Sequence, residues 1–104
     1  MPTFSLKSEN LFMWDLWLTV FNSRIHLFYL VMDRKKGASI GIGHAISDDL
    51  AHFEELPLVA EPDSSNPFDC GEIYTGGAWS ENGMLYCYYT MRDVSDKPGY
   101  GFER

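Results

Sequence analysis

The run "RIHLFYLVM" (24–32) carries two interleaved apolar sets. Ile25, Leu27, Tyr29 and Val31 fall on one side and Phe28, Leu30 and Met32 on the other, with His26 the one interruption. A period of two marks a β-strand, and apolar residues on both sides mark a strand buried on both faces. "WLTVF" (17–21) precedes it across the short polar turn Asn22-Ser23, so the two runs predict a hairpin. An antiparallel hairpin normally keeps one wet face. This one has none, and further layers must cover both sides.

The pattern then recurs. "EIYTGGAW" (72–79), the turn "SENG" (80–83) and "MLYCYYTM" (84–91) repeat the order of "DLWLTVF", "NSR" and "IHLFYLVM", about 58 residues further on. Both second strands end in an acid–base pair, Asp33-Arg34 and Arg92-Asp93. "SIGIGH" (39–44) aligns with "GYGFER" (99–104), setting Ile40, Gly41 and Ile42 against Tyr100, Gly101 and Phe102. The second copy has no counterpart of "AISDDLAHFEELPLV" (45–59).

Repeated units of antiparallel strands, apolar on both faces, predict β-propeller blades. The fold class is therefore all-β: a partial β-propeller of about two four-stranded antiparallel blades within a single domain, 1–104. Blade one (about 12–60) has strand candidates at 16–21, 25–32, 39–46 and 52–59. Blade two (about 69–104) has them at 73–79, 84–91 and 99–103, one strand short. "TFSLK" (3–7) alternates apolar and polar residues, belongs to neither blade, and is the candidate to complete blade two, lying along the open outer edge of another copy's second blade. Gly41 and Gly43 remove side chains where strands or blades approach closely. Ser47 and Asp48 offer oxygens to the turn between strands three and four, with Leu50 and Phe53 packing inward. The alternative for "SDDL" is a short helix capped by Ser47 or Asp48, for which Pro57 leaves two turns.

Composition removes several function classes. The 104 residues support one modest core, and seven Phe, six Tyr and three Trp are too apolar for disorder. No apolar run is long enough for a membrane span. Lys7, Glu9 and Asp15 break any signal-peptide pattern, so the expected location is cytoplasmic and no membrane partner is expected. A net charge of −7, without Lys/Arg stripes, argues against nucleic acid. Cys70 and Cys87 lack metal-ligand spacing and are read as free thiols, a disulfide being the alternative. His44 and His52 lie on different strands without a metal spacing, so hydrogen bonding in the core or between strands is the expectation for both, and no metal is expected. "GIGHAIS" follows strand periodicity and opens no helix, so it is not a phosphate loop; no cofactor is expected.

"MWDLWLTVFNSRIHLFYL", "SIGIGHAISDDLAHFEELPLV" and "DCGEIYTGGAW…YCYYT" resemble the first two blades of the five-bladed β-propeller glycoside hydrolases. The resemblance is nearest to families 32 and 68, with family 43 more distant, and covers about residues 12 to 104. It implies that Asp15 is the nucleophile or base at the floor of a central funnel. The flanking Trp14 and Trp17 suit sugar C–H surfaces by their aromatic faces. It implies that Asp69, Glu72, Tyr74 and Thr75 face the sugar from blade two. Two departures stand out: Gly77 occupies a position where that family usually has serine, and Leu16 one where proline is commoner. The family's acid/base glutamate and its Arg-Asp-Pro motif come from later blades. Arg92-Asp93 is followed by Val94 and reads as a turn ion pair. Hydrolysis of this type needs two carboxyl groups across the scissile bond, so a single copy is expected to lack a complete site.

Two blades cannot close a ring, and each end exposes an apolar face. The expected partner is therefore the chain itself, as a homo-oligomer, with a trimer favoured over a dimer. The function expected is a glycosidase-like partial propeller that self-assembles and binds carbohydrate without turnover by one chain. The alternatives are a non-catalytic scaffold, a fructosidase-like enzyme active only as an oligomer, or an incomplete remnant of a longer enzyme.

Overall fold

A computed structural model describes residues 6–62, 72–93 and 102–103, with the backbone alone for 92, 93, 102 and 103. Asp69, Cys70 and residues 3–5 lie outside it. The described residues are all-β and contain no helix, hence none long and apolar enough to cross a membrane. One sheet has the order β1 (Leu11–Phe21), β2 (Arg24–Asp33), β3 (Ala38–Ser47), β4 (Glu54–Ala60). The other has the order β5 (Glu72–Glu81), β6 (Met84–Asp93), β7 (Phe102–Glu103), and every neighbouring pair is antiparallel.

The two hairpins repeat at a spacing of 60 residues, the separation of Asp15 and Thr75. At both turns the central residues have left-handed backbones: Asn22 and Ser23 (φ 51° and 62°), then Asn82 and Gly83 (φ 52° and 76°). Such a turn matches the twist of the flanking strands. The spacing of about 58 expected from the sequence pattern is therefore corrected by two residues. The third strands are less alike. Phe102 pairs with Asp93, the place Ala38 takes opposite Asp33, so it is not the counterpart of Ile42. The connection after β6 is eight residues where that after β2 is four, which shifts the register.

Alternation along β2 sorts its side chains into two cores. Phe28, Leu30 and Met32 join Ile42 and, from the second sheet, Ile73 and Met91, with Trp17, Ala78, Leu85 and Tyr89 packed around them. This is the layer between the blades, and each fully buried side chain in it contributes about 1.5–3 kcal/mol. On the opposite face Leu27, Tyr29, Val31 and Ala45 gather with Leu11, Met13, Phe53 and Leu6. Leu6, the described part of the "TFSLK" segment with Lys7, thus packs on its own blade one.

Gly41 and Gly43 sit where the expected close approaches occur. A Cβ on Gly41 would meet the carbonyl oxygen of Ala60 at 2.5 Å, and one on Gly43 would enter the ring of Tyr29. β1 begins at Leu11 and not at 16 because a bulge between Met13 and Leu16 lets pairing continue past Asp15. β4 begins at Glu54 and not at 52, with Pro57 inside an irregular stretch of its ladder, where a missing N–H is tolerated.

The segment 48–53 is a tight loop, not a helix. Ser47, 2% exposed, accepts from the amides of Asp49 (3.2 Å) and Leu50 (2.9 Å). The second turn-forming oxygen belongs to Asp49, whose Oδ1 accepts from the amides of Ala51 and His52, both at 2.9 Å. Asp48, expected in that role, instead pairs with Arg24 at 2.8 Å in an exposed bridge. Leu50, expected inside, has φ 63° and is 57% exposed. Phe53 packs inward on the Leu27–Tyr29 core.

Candidate functional site

The first strands of both sheets carry the same irregularity. On β1 the register passes from Met13↔Val31 to Leu16↔Tyr29, so Trp14 and Asp15 together stand opposite Leu30. On β5 it passes from Tyr74↔Thr90 to Gly76↔Tyr89, so Thr75 is the extra residue. A bulge leaves one residue unpaired and re-aims its side chain. Because the two bulges are in register, Thr75 Oγ1 donates a hydrogen bond to Asp15 Oδ2 across the gap between the blades. This contact joins two residues far apart in sequence, and it marks the end of the molecule where β1 and β5 both begin.

The other candidates fall around it as follows. Asp15 and Thr75 are exposed, and Trp14, beside Asp15, is 56% exposed. Glu72 and Tyr74 lie at the start of β5, half-buried, with the Tyr74 hydroxyl donating to Glu72 Oε2. Trp17 is elsewhere: it stacks on Phe28 (centroids 6.2 Å apart, planes at 25°) within the layer between the blades. Its Nε1 is buried with no partner among the described residues. Asp69 lies outside the described residues, and so do the side chains of Arg92 and Asp93, whose backbones continue β6 beyond any turn.

Gly77 faces Tyr88 across the ladder, and a Cβ there would lie 2.6 Å from Tyr88 Cζ. The exposed Tyr88 phenol lies over the glycine. Asp15 sits on open surface. A groove of about 460 Å³ at the start of β1, lined by Phe12, Met13 and Arg34 among others, does not include it. Nor does one of about 240 Å³ at the opposite end, lined by Arg24, Ser47, Asp48, Asp49 and His52 among others.

The histidines divide. His44 Nε2 lies 2.9 Å from His26 Nδ1 on the adjacent strand, and its ring stacks on Phe28 at 4.7 Å. Burial, and then the charge of His26, hold the His44 imidazole below its ordinary pKa of 6.5. His52, expected in a core or between strands, is corrected: it is exposed in the loop and its Nδ1–H donates to Asp49 Oδ2 at 2.8 Å. Among the described residues no group of three His, Cys, Asp or Glu could hold a metal ion. Cys87 is a free thiol, raised above its usual pKa by burial.

Residues 12–99 match the glycosyl hydrolases family 32 N-terminal domain. The chain belongs to that family. Its architecture is accordingly that of the β-propeller region which opens a family 32 chain. The family 32 segment is 36% identical over 72 residues to the sucrose-6-phosphate hydrolase of Lactococcus lactis subsp. lactis, covering 67% of this chain and 15% of that protein. It is 36% identical over 72 residues to the sucrose-6-phosphate hydrolase of Escherichia coli, covering 67% and 14%. With beta-fructofuranosidase 1 of Zea mays it shares 37% over 67 residues, covering 62% and 10%. It thus spans about one seventh or less of the length of these relatives.

The paired bulges were not legible in the pattern of apolar positions. One signal was available. At the spacing of 60, Trp14-Asp15 aligns with Tyr74-Thr75, an aromatic followed by a polar residue in each copy.

Proposed function

We propose that this chain is the sugar-contacting opening segment of a fructoside-directed propeller, and that alone it binds a fructosyl unit weakly at Asp15 without cleaving it. The observation carrying this reading is the Thr75–Asp15 hydrogen bond between in-register bulges. It fixes one carboxylate oxygen and leaves the other to meet a sugar hydroxyl, with exposed Trp14 alongside. Relatives described as sucrose-6-phosphate hydrolases and a beta-fructofuranosidase support the fructosyl class. Retaining hydrolysis needs two carboxyl groups about 5–5.5 Å apart. The open setting of Asp15 supports a weak complex.

The test is titration of the purified chain with fructose and sucrose, read by tryptophan fluorescence, beside an assay for released glucose. A saturable change that weakens roughly 10–100-fold in Asp15→Asn is expected, the range for a hydrogen bond to a charged group. Glucose release is expected to stay at background. Turnover that vanishes in Asp15→Asn would make the chain an enzyme in its own right. No fluorescence change with either sugar would overturn the sugar site. The scaffold reading then gains.

A further inference from the structure

Two arginine side chains are described, and they are used differently. Arg24 is bridged to Asp48. Arg34 pairs with no carboxylate among the described residues, although the chain carries a net charge of −7. It is nevertheless held in place. Its amide donates to the Asn10 carbonyl at 2.9 Å and its Nε donates to the Glu9 carbonyl at 3.1 Å. Its guanidinium lies 4.6 Å from the centre of the Phe12 ring. The turn that carries it is tied down by Asp33, whose Oδ1 accepts from the amides of Lys35 (2.8 Å) and Lys36 (3.1 Å) and from Asn10 Nδ2 (3.1 Å). The two Nη groups of Arg34 have no partner among the described residues, and the side chain lines the groove of about 460 Å³ at the start of β1. A guanidinium fixed by its Nε and its face, with its outer donors unused, is a fork set for an oxyanion.

The surroundings are basic. Lys35 and Lys36 follow on the same exposed turn, and Lys7 lies in the segment leading into β1, so four of the chain's eight Lys and Arg gather at this end of blade one. The acids of the same stretch are Glu9, on the groove wall, and Asp33, one of whose oxygens already takes three donors. A guanidinium and two ammonium groups on a single turn suit a phosphate monoester, which carries about −1.5 to −2 charge at neutral pH, better than a singly charged carboxylate.

Phe12 also sets the place of this fork relative to Asp15. Phe12 packs on the layer between the blades, and the next position on that face of β1 is the bulged pair Trp14–Asp15, opposite Leu30 of the same layer. The two positions are roughly 7–10 Å apart at a strand rise of about 3.3 Å per residue. A hexose bonded to Asp15 through a ring hydroxyl can therefore lay a phosphate on its exocyclic carbon against the guanidinium over Phe12. We infer that the sugar taken at Asp15 is a phosphorylated one: Asp15 accepts from a hydroxyl of the fructosyl unit, and Arg34, flanked by Lys35 and Lys36, holds a phosphate monoester on the same sugar. The inference rests on the fructosyl site proposed above and adds a binding group to it. No bond is made or broken.

The experiment is titration of the purified chain with fructose, fructose 6-phosphate and inorganic phosphate, read by tryptophan fluorescence and calorimetry. The quantity compared is the ratio of the two sugar affinities. Fructose 6-phosphate is expected to bind about 10–100-fold more tightly than fructose, the range for hydrogen bonds to a charged group, and inorganic phosphate is expected to compete with it. The ratio should fall to near one in Arg34→Gln. It should be intermediate in Arg34→Lys, which keeps the charge without the fork and serves alone if Arg34→Gln loses its strand signal in circular dichroism. Arg24→Gln removes the same charge at the far end of β2 and should keep the ratio. Equal wild-type affinities, a ratio indifferent to Arg34, or one lost equally in Arg24→Gln would overturn the inference. Fructose binding with no gain from the phosphate overturns this inference and leaves the fructosyl site standing. Fructose 6-phosphate binding that needs Arg34 but ignores Asp15→Asn, with no response to fructose, overturns the fructosyl site and leaves Arg34 an anion site of its own.

Discussion

Gly43→Ala tests whether blade one is as tightly laid as the register implies. Gly43 faces Tyr29 across the β2–β3 ladder, and the Tyr29 ring occupies the space over the glycine. An added Cβ would collide with Tyr29 Cε2 and fall 2.6 Å from Cζ and 2.8 Å from Cδ2, more than about 1 Å inside carbon–carbon contact distance at the closest atom. The ring has nowhere to go: Tyr29 is 1% exposed among Leu27, Val31 and Ala45, and burial, with the charge of Glu55, pushes its phenol to about 12. Overpacking of this kind costs about 1–3 kcal/mol. Loss of glycine's freedom in the unfolded chain offsets about 0.4–1 kcal/mol. The net is roughly 1–2 kcal/mol of destabilisation, or a Tm roughly 5–15 °C lower for a domain of this length. Thermal and urea unfolding followed by circular dichroism measure it. In a Tyr29→Leu background the penalty is expected to shrink or change sign, since the obstructing ring is gone. An unchanged or raised Tm for Gly43→Ala would refute the argument, as would an equal penalty in both backgrounds.

Ser47→Ala removes the acceptor of the Asp49 and Leu50 amides at the start of the 48–53 loop. It is expected to cost about 1–2 kcal/mol in urea unfolding, whereas Arg24→Ala, which loses only an exposed bridge, should cost under about 1 kcal/mol. The His26–His44 bond needs at least one of its two facing nitrogens unprotonated. His44 is depressed below 6.5 in the folded chain, so the unfolded chain binds the proton more readily. Its stabilising contribution is thus fully present above about pH 6.5 and is lost as pH falls through that region. Urea midpoints between pH 7.5 and 5.5 should fall for the wild type and fall less for His44→Gln; a wild-type midpoint that rises on acidification would contradict this sign.

The alternation of Ile25 to Met32, the polar turns at 22–23 and 82–83, and the recurrence of the hairpin determined by themselves an all-β chain of stacked blades. They could do so because side-chain period and turn chemistry are local properties, set within a few residues. The phrase 39–59 likewise declared strand, turn and strand, with Ser47 as the turn's acceptor. What sequence alone did not settle were choices between chemically similar neighbours. Asp49 rather than Asp48 closes the loop because Asp48 finds Arg24 on the adjoining hairpin. Trp17 rather than Trp14 enters the layer between the blades because the bulge at 14–15 shifts the alternation of β1. A bulge leaves no mark in hydrophobic period, and whether two bulges meet depends on how two sheets stack. That is why the pairing of Asp15 with Thr75 belongs to the tertiary structure, while the presence of an aspartate beside a tryptophan belonged to the sequence.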